Sequence, residues 1–149
     1  MLCCLAKVRK CRSKKKFIAI LKNPTDKKAK HKGSDLLLKD LQTDKTLNIG
    51  NVSSYAFNKE GTLFSYLVDA DGDNGNGIYV IDLNNLRTWP LHTGALTYSQ
   101  MTWNKMGNQI AVMFGSKGDD KKRIGSNESI LTRIKTTRKT FRKTKNFSY

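Results

Sequence analysis

The feature of this sequence that most restricts its fold is an internal repeat with a period of 42 to 46 residues. The pair Asp40-Leu41 recurs as Asp82-Leu83, at an offset of 42 residues. The pattern Asn58-Lys59-x-Gly61 recurs as Asn104-Lys105-x-Gly107, at an offset of 46 residues. Repeats of this length predict an array of similar units that stack on one another and share a core.

Each repeat contains short segments in which apolar and polar residues alternate. These segments are rich in β-branched and aromatic residues and are separated by Gly, Asn and Asp, which predicts antiparallel strands joined by tight turns. The segments are residues 35–41, 46–50, 53–57, 63–68, 77–83, 88–92, 99–104 and 109–114. Four short strands per period are typical of a β-propeller blade. We therefore predict an all-β fold: about two four-stranded antiparallel blades of an incomplete β-propeller, with basic, flexible ends.

The repeated turn follows an aromatic residue in both copies, Phe57 in one and Trp103 in the other. A ring of this size can fill the space between neighbouring blades. In the turn, Asn can bond its own backbone two residues on, and Gly tolerates a positive φ at the end. Two unrelated hairpins in a small β-sandwich are the alternative, which the matched offsets make less favoured.

Charge divides the chain into three segments. The formal net charge is +16, of which residues 1–34 carry +11, residues 35–115 carry −3 and residues 116–149 carry +8. Lys-rich segments repel themselves and bury little apolar surface, so we expect both ends to be mobile or only locally ordered. This predicts a basic N-terminal flank over 1–34, a partial β-propeller over 35–115 and a basic C-terminal tail over 116–149.

The number of blades has a consequence for partners. A propeller ring needs about four to eight blades, so two blades cannot close a ring. The first and last blades then expose apolar faces and unpaired strand edges. We expect these surfaces to meet either the missing blades of a larger protein or further copies of this chain.

Two pairs of segments resemble the N-terminal propeller of prolyl-oligopeptidase-like serine peptidases, whose turn is shared by Tol-type and WD-like propeller repeats. They are residues 36–41 with 55–61, and residues 77–83 with 101–107. The Lys-rich stretch 18–32 is similar to a linker between early blades of bacterial members, and the resemblance covers residues 16–118. It implies a substrate-gating or interaction module of a bacterial peptidase.

The chemistry of that family lies in a separate hydrolase domain with a Ser nucleophile in Gly-x-Ser-x-Gly. Nothing here matches: Gly115-Ser116-Lys117-Gly118 has the wrong spacing, and Ser126 lacks the second Gly. We therefore predict no enzymatic activity, no catalytic, cofactor-binding or metal-ligating residue, and no cofactor. The basic ends depart from the family pattern, which favours a truncated gene product whose partners are the missing blades and the hydrolase domain.

Two groups of residues contain potential metal ligands, and we interpret neither group as a metal site. Cys3, Cys4 and Cys11 lack the Cys-x-x-Cys spacing of a zinc site and are interpreted as free thiols. Residues 69–77 offer alternating oxygen ligands for calcium, but Asn74 and Val80 stand where an EF-hand needs Gly and an acid. We interpret this stretch as a solvated loop between two strands.

The basic ends also suggest binding to polyanions, which is the less favoured function. Lys14-Lys15-Lys16 and Lys27-Lys28-x-Lys30 can contact phosphates, and Ile130, Ile134 and Phe141 stand at the spacing of an amphipathic helix. Few aromatic residues interleave with the lysines for base stacking, and the threonines of 129–147 are poor helix formers. We expect no specific nucleic acid partner. The main alternative function is a stand-alone, self-associating propeller-type binding protein.

Localisation is left open by the sequence. No apolar run approaches the roughly 18 residues of a membrane span, and no signal peptide is recognisable. The chain as written therefore reads as cytoplasmic, although similar propellers in bacteria are often exported with their enzyme.

Overall fold

The computed structural model describes residues 16–23, 32–73, 75–115 and 128–133, the last of these by their backbone. These residues form nine β-strands and one short 3-10 helix at Asp71–Asp73. The strands are β1 (Phe17–Leu21), β2 (Ser34–Asp40), β3 (Thr46–Phe57), β4 (Leu63–Val68), β5 (Gly77–Asp82), β6 (Arg87–Thr93), β7 (Thr97–Trp103), β8 (Gln109–Gly115) and β9 (Glu128–Arg133). In this part of the chain, no helix has the length and hydropathy needed to cross a membrane.

All neighbouring strands are antiparallel and follow one another in chain order. The first six strands form one sheet, and β7, β8 and β9 form a second. Strand β3 takes part in two pairings, because its first half pairs with β2 and its second half pairs with β4. The halves meet at Asn51, whose φ of 57° and adjoining register shift turn the strand from one group of strands into the next.

These pairings divide the strands into three blades. The first blade contains β1, β2 and the first half of β3, and the second contains the rest of β3 with β4, β5 and β6. The third blade contains β7, β8 and β9. The described residues thus make one complete four-stranded blade and three strands of each neighbour. The predicted all-β fold of antiparallel propeller blades is confirmed.

Two strands lie outside the segment 35–115 to which the sequence assigned the blades. Strand β1 lies in the stretch read as an N-terminal flank, and β9 lies in the stretch read as a tail. Strand β1 is ordered because Phe17, Ala19 and Leu21 alternate with exposed residues and pack against the core. Residues 128–133 extend along β8, whereas the positions of Ile130 and Ile134 had allowed a helix. Residues 1–15, 24–31, 116–127 and 134–149 of the two basic segments lie outside the described residues.

The core consists of two apolar clusters, one on each face of the second blade. The cluster toward the first blade contains Phe17, Leu36, Leu38, Val52, Phe64, Tyr66, Ile81 and Leu83. The cluster toward the third blade contains Leu63, Leu67, Ile78, Val80, Tyr98, Ile110 and Val112. Because side chains alternate along a strand, β4 sends Phe64 and Tyr66 to one cluster and Leu63 and Leu67 to the other. Each large side chain buried in this way contributes about 1.5–3 kcal/mol of stability.

Gly33 lies directly before β2, where the chain returns to the first blade. A Cβ at this position would lie 2.6 Å from the carbonyl oxygen of Asn51 and would also overlap the Asp69 carbonyl oxygen. The same carbonyl of Asn51 accepts a 2.8 Å hydrogen bond from the Asp69 amide. Three chain segments therefore meet here at backbone distance, which requires glycine.

Candidate functional site

The repeated turn is held by the side chain of Asn58, which is buried. Its Oδ1 accepts hydrogen bonds from the amides of Thr62 (2.9 Å) and Leu63 (3.0 Å). Its Nδ2 donates to Thr62 Oγ1 at 3.1 Å and to the carbonyl oxygen of Gly107 at 3.2 Å. Gly61 closes the turn with a φ of 70°. The bond to Gly107 crosses to the third blade, so one side chain both shapes a turn and joins two blades.

The second copy of the turn has the same geometry. Asn104 Oδ1 accepts from the amides of Asn108 (3.1 Å) and Gln109 (3.2 Å), and Gly107 has a φ of 70°. The predicted positive φ of both glycines is confirmed, whereas each Asn side chain bonds the amides four and five residues on instead of the expected amide two residues on. One bond differs: Asn104 Nδ2 donates to Gln109 Oε1 at 3.1 Å, within its own blade. In this last blade, a side-chain oxygen replaces the carbonyl that the following blade supplies to Asn58.

The Asp-Leu repeat marks a second kind of turn. The amide of Gln42 and the hydroxyl of Thr43 donate to the Asp40 carboxylate at 2.8 Å each, and they hold the pKa of that exposed carboxyl below its usual value. Asp82 receives equivalent bonds from the residues that follow it. Each turn ends on a residue in the left-handed region, Asp44 with φ 58° and Leu86 with φ 56°. The 42-residue offset is therefore visible in the backbone.

A polar contact lies inside the apolar boundary between the second and third blades. Trp103 Nε1 donates to Ser65 Oγ at 2.9 Å, and the same hydroxyl donates to the carbonyl of Ala56 at 3.1 Å. Ser65 is completely buried. Buried polar groups need partners, so this hydroxyl and this ring satisfy each other across the boundary. Sequence reasoning missed the pair, although a serine between the apolar residues of a buried strand was a signal for it.

Two buried tyrosines lie at the boundaries of the second blade, one on each of its faces. Tyr98 OH lies 2.8 Å from His92 Nδ1, which links the third blade to the last strand of the second. Burial, with a smaller contribution from Tyr79, raises the pKa of Tyr98 to about 12. On the other face, Tyr66 stacks on Tyr79 with ring centres 5.4 Å apart, and burial raises its pKa to about 12 as well.

The acidic loop between β4 and β5 is anchored at both ends. Asp69 Oδ2 accepts from the Lys32 amide at 2.8 Å, and Asn76 Oδ1 accepts from the Ala70 amide at 2.7 Å. Both side chains are buried, whereas Asp71 and Gly72 between them are exposed. Only the middle of the loop therefore matches the predicted solvated loop. In the part of the chain that the structure describes, no three His, Cys, Asp or Glu residues are grouped to hold a metal ion.

Several residues that entered the sequence analysis lie outside the described residues. They are Cys3, Cys4, Cys11, Lys14, Lys15, Lys27, Lys28, Lys30, Asn74, Ser116, Lys117, Gly118, Ser126, Ile134 and Phe141. The one histidine among the described residues is His92, and the serine in the middle of the buried strand β4 is Ser65. Each is engaged elsewhere: His92 bonds Tyr98, and Ser65 bonds Ala56 and Trp103.

The candidate interaction surfaces are the outer faces of the first and third blades. On the first blade, Ile18, Ile20, Leu37 and Lys39 point away from the second blade; we call this the rear face. Register and repeat place Ile18 and Ile20 at the positions of Phe64 and Tyr66 in the second blade. Those two rings are buried, whereas Ile18 is 45% and Ile20 is 41% exposed. The rear face therefore has the apolar positions of a blade boundary, and no described residues form a blade on it.

The opposite end of the array has a corresponding surface. Ile110 and Val112 of β8 are buried against the second blade, so Gln109, Ala111 and Met113 point the other way. We call these three residues the front face. Their counterparts in β4 are Leu63, Ser65 and Leu67, all of them buried beneath the third blade. The front face is only half-buried, and a fourth blade is not present among the described residues.

Comparisons with known proteins agree with this architecture. No protein-family model matches the sequence, and no curated protein is significantly similar to it. The fold is similar to that of acylaminoacyl peptidase from Pyrococcus horikoshii, with a TM-score of 0.54 and 12% identity. This match covers 82% of the present chain and 22% of the peptidase chain. At such low identity the likeness shows a shared fold.

A second solved structure is the β-propeller domain of the Trilobed protease from Pyrococcus furiosus, which is described as having an open velcro topology. The TM-score is 0.48 and the identity is 8%. The match covers 90% of this chain and 55% of that domain. In both cases the chain spans less than two thirds of the protein it resembles.

Proposed function

We propose that this chain is a non-catalytic part of a propeller that gates substrate entry, or binds partners, for a prolyl-oligopeptidase-like peptidase. The observation that carries the proposal is the pair of open end faces. Ile18 and Ile20 stand at positions that are buried in the other two blades. The front-face residues of the third blade are half-buried, whereas their counterparts in β4 are fully buried. Surfaces of this kind fit further blades, and a closed ring beside an active site limits the size of what enters.

The class of partner is supported by the fold. The structure to which the chain is similar at a TM-score of 0.54 is an acylaminoacyl peptidase, of which the match covers 22%. The active site of such an enzyme would then lie on the remainder. A non-catalytic role is supported by His92, the one histidine among the described residues, because its Nδ1 lies 2.8 Å from Tyr98 OH and not beside a serine hydroxyl.

The test combines this chain with the enzyme it is proposed to serve. The full chain would be assayed on acylaminoacyl and prolyl chromogenic peptides, alone and after co-expression with a prolyl-oligopeptidase-like hydrolase chain, taken from the neighbouring genes where they encode one. We expect no hydrolysis by the chain alone and a stable complex with the partner. In the complex, short peptides are cleaved and unfolded proteins are not, and omitting this chain removes that size limit.

Two results would contradict the proposal. Hydrolysis by the purified chain alone would show that it carries its own active site. Failure to form a complex, together with an unchanged size limit in its absence, would show that it has no part in gating. A mutation control is available in Met106→Ala, because this side chain lies on the surface and is 71% exposed. It should leave complex formation and the size limit unaltered.

A second candidate function is a stand-alone binding protein that closes a ring from several copies. It is favoured by the presence of both the rear face and the front face on one chain, at opposite ends of the array, so that copies can stack head to tail. Light scattering after size exclusion separates the two candidates. A sharp oligomer of about three or four copies supports self-association, and a monomer that binds only the partner chain supports the gating module.

A further inference from the structure

Each boundary between neighbouring blades brings together a small residue of one blade and an aromatic ring of the next. At the second boundary the small residue is Ser65, in the middle of β4, and the ring is that of Trp103, at the end of β7. The ring N–H and the hydroxyl bond at 2.9 Å, with Ser65 completely buried and Trp103 half-buried. Each group therefore supplies the hydrogen-bond partner that the other needs at this boundary.

The first boundary contains a different pair at the equivalent positions. Phe17 faces Asp40 as Leu63 faces Asp82, so Ala19 corresponds to Ser65. The repeated turns place Phe57 where Trp103 stands in the next blade. Ala19 and Phe57 pack against the same core cluster. The hydroxyl and the ring N–H are thus both present at one boundary and both missing at the other.

The front face carries the third small residue of this series. Thr102 faces Ala111 in β7 and β8 as Ala56 faces Ser65 in β3 and β4, so Ala111 occupies the position of Ser65. We infer that the front face takes a further propeller blade whose first strand ends in phenylalanine, or another ring without an N–H donor, over Ala111. This inference rests on the proposed function and names the chemistry of the missing blade.

A tryptophan at that place in the partner would bury its N–H against a methyl group. The nearest polar side chain on the face, Gln109, already accepts from Asn104 Nδ2 through its Oε1. A buried donor without an acceptor lowers the docking equilibrium about tenfold or more.

A second copy of this chain does not fit the requirement. A second copy would present its rear face, whose first described strand is β1, the counterpart of β4. Among the described residues, no strand precedes β1 that could place a ring over Ala111. At both existing boundaries, the small residue belongs to the earlier blade and the ring to the blade that follows in the chain. We therefore assign the front face to a blade from a different segment or protein.

The experiment adds a blade of known sequence to the full chain. Residues 52–93 are repeated after Tyr149, so that the added blade presents a copy of Phe57 to the front face. A matched version carries Trp at that place of the copy, and each version is made with Ala111 and with Ala111→Ser. The readout is the rate at which peroxide oxidises Met113, measured by mass spectrometry. Met106 serves as the internal control, because its counterpart Glu60 stays exposed beside a docked blade.

We expect the Phe version to slow oxidation of Met113 about tenfold more than the Trp version, with Met106 unchanged. Ala111→Ser should restore protection in the Trp version and lower it in the Phe version. Equal protection by both versions, or no protection by either, would overturn the inference. Protection of the unextended chain that rises with its concentration would also overturn it, since a second copy would then be the occupant. Complex formation with a hydrolase is not measured, so failure of the gating proposal gives a different result.

Discussion

The bond from Asn58 to the neighbouring blade can be isolated by the substitution Asn58→Asp. The carboxylate keeps an oxygen for the amides of Thr62 and Leu63 but has no donor for the buried carbonyl oxygen of Gly107, now 3.2 Å from an amide nitrogen. A backbone carbonyl cannot turn to find another partner, and the two oxygens repel each other. Leaving a buried acceptor unsatisfied costs about 1–3 kcal/mol, so we expect a loss of about 2 kcal/mol.

Asn104→Asp is the matched control, because the two turns share their geometry. Its Nδ2 donates to the side-chain oxygens of Asn108 and Gln109, at 2.9 and 3.1 Å. Both of these amides can rotate and donate to the new carboxylate, so the loss should stay below about 0.5 kcal/mol. Urea unfolding at pH 7, followed by circular dichroism, gives both values from the midpoints if the slopes agree. Equal losses for the two variants would refute the bond between blades as the cause.

Three further predictions concern the stability of the fold: one for a turn residue, one for the two buried tyrosines and one for a glycine. Leu86→Asn should raise the free energy of unfolding by about 0.5 kcal/mol in urea titrations, because Asn tolerates a φ of 56° better than Leu does, and the Leu side chain is 46% exposed. Stability should fall as the pH rises from 10 toward 12: the unfolded tyrosines lose their protons near 10, while Tyr66 and Tyr98 hold theirs to about 12 in the fold. Urea midpoints across that range should decline less when both are replaced by Phe. Gly33→Ala should lower the free energy of unfolding by about 1–3 kcal/mol, because its Cβ would overlap backbone atoms. Gly50→Ala is the control: its Cβ would meet nothing closer than 3.9 Å, so this variant should be nearly neutral when both are compared in thermal melts.

The sequence was most informative where a residue type is required by a local backbone shape. Asn58 and Gly61 recur at a fixed offset because a turn needs an acceptor at its start and a positive φ at its end, and these needs do not depend on distant contacts. The strands could be predicted for a similar reason, since alternation along β4 and β5 reflects burial on both faces. Their division into blades followed from the period of the repeat.

What the sequence concealed depends on contacts between distant segments. Strand β1 lies in a Lys-rich stretch, so composition favoured a solvated flank, while its order comes from pairing with β2 and from Phe17 in the core. The partnership of Ser65 and Trp103 joins residues 38 positions apart in two blades. The end faces could be predicted as a consequence of the blade count, but the residues that form them became identifiable only from the register of β1 and β8.

The left-handed residue in the middle of β3 also affects how the array comes apart. The first and second blades share this one continuous strand, turned at Asn51, whereas residues 94–96 separate the second blade from the third. Because one strand runs unbroken from the first blade into the second, these two blades should melt together. The third blade is joined to the second by a short connector and can detach with its own ladder intact, so among the described residues this connector is where a protease should cut first.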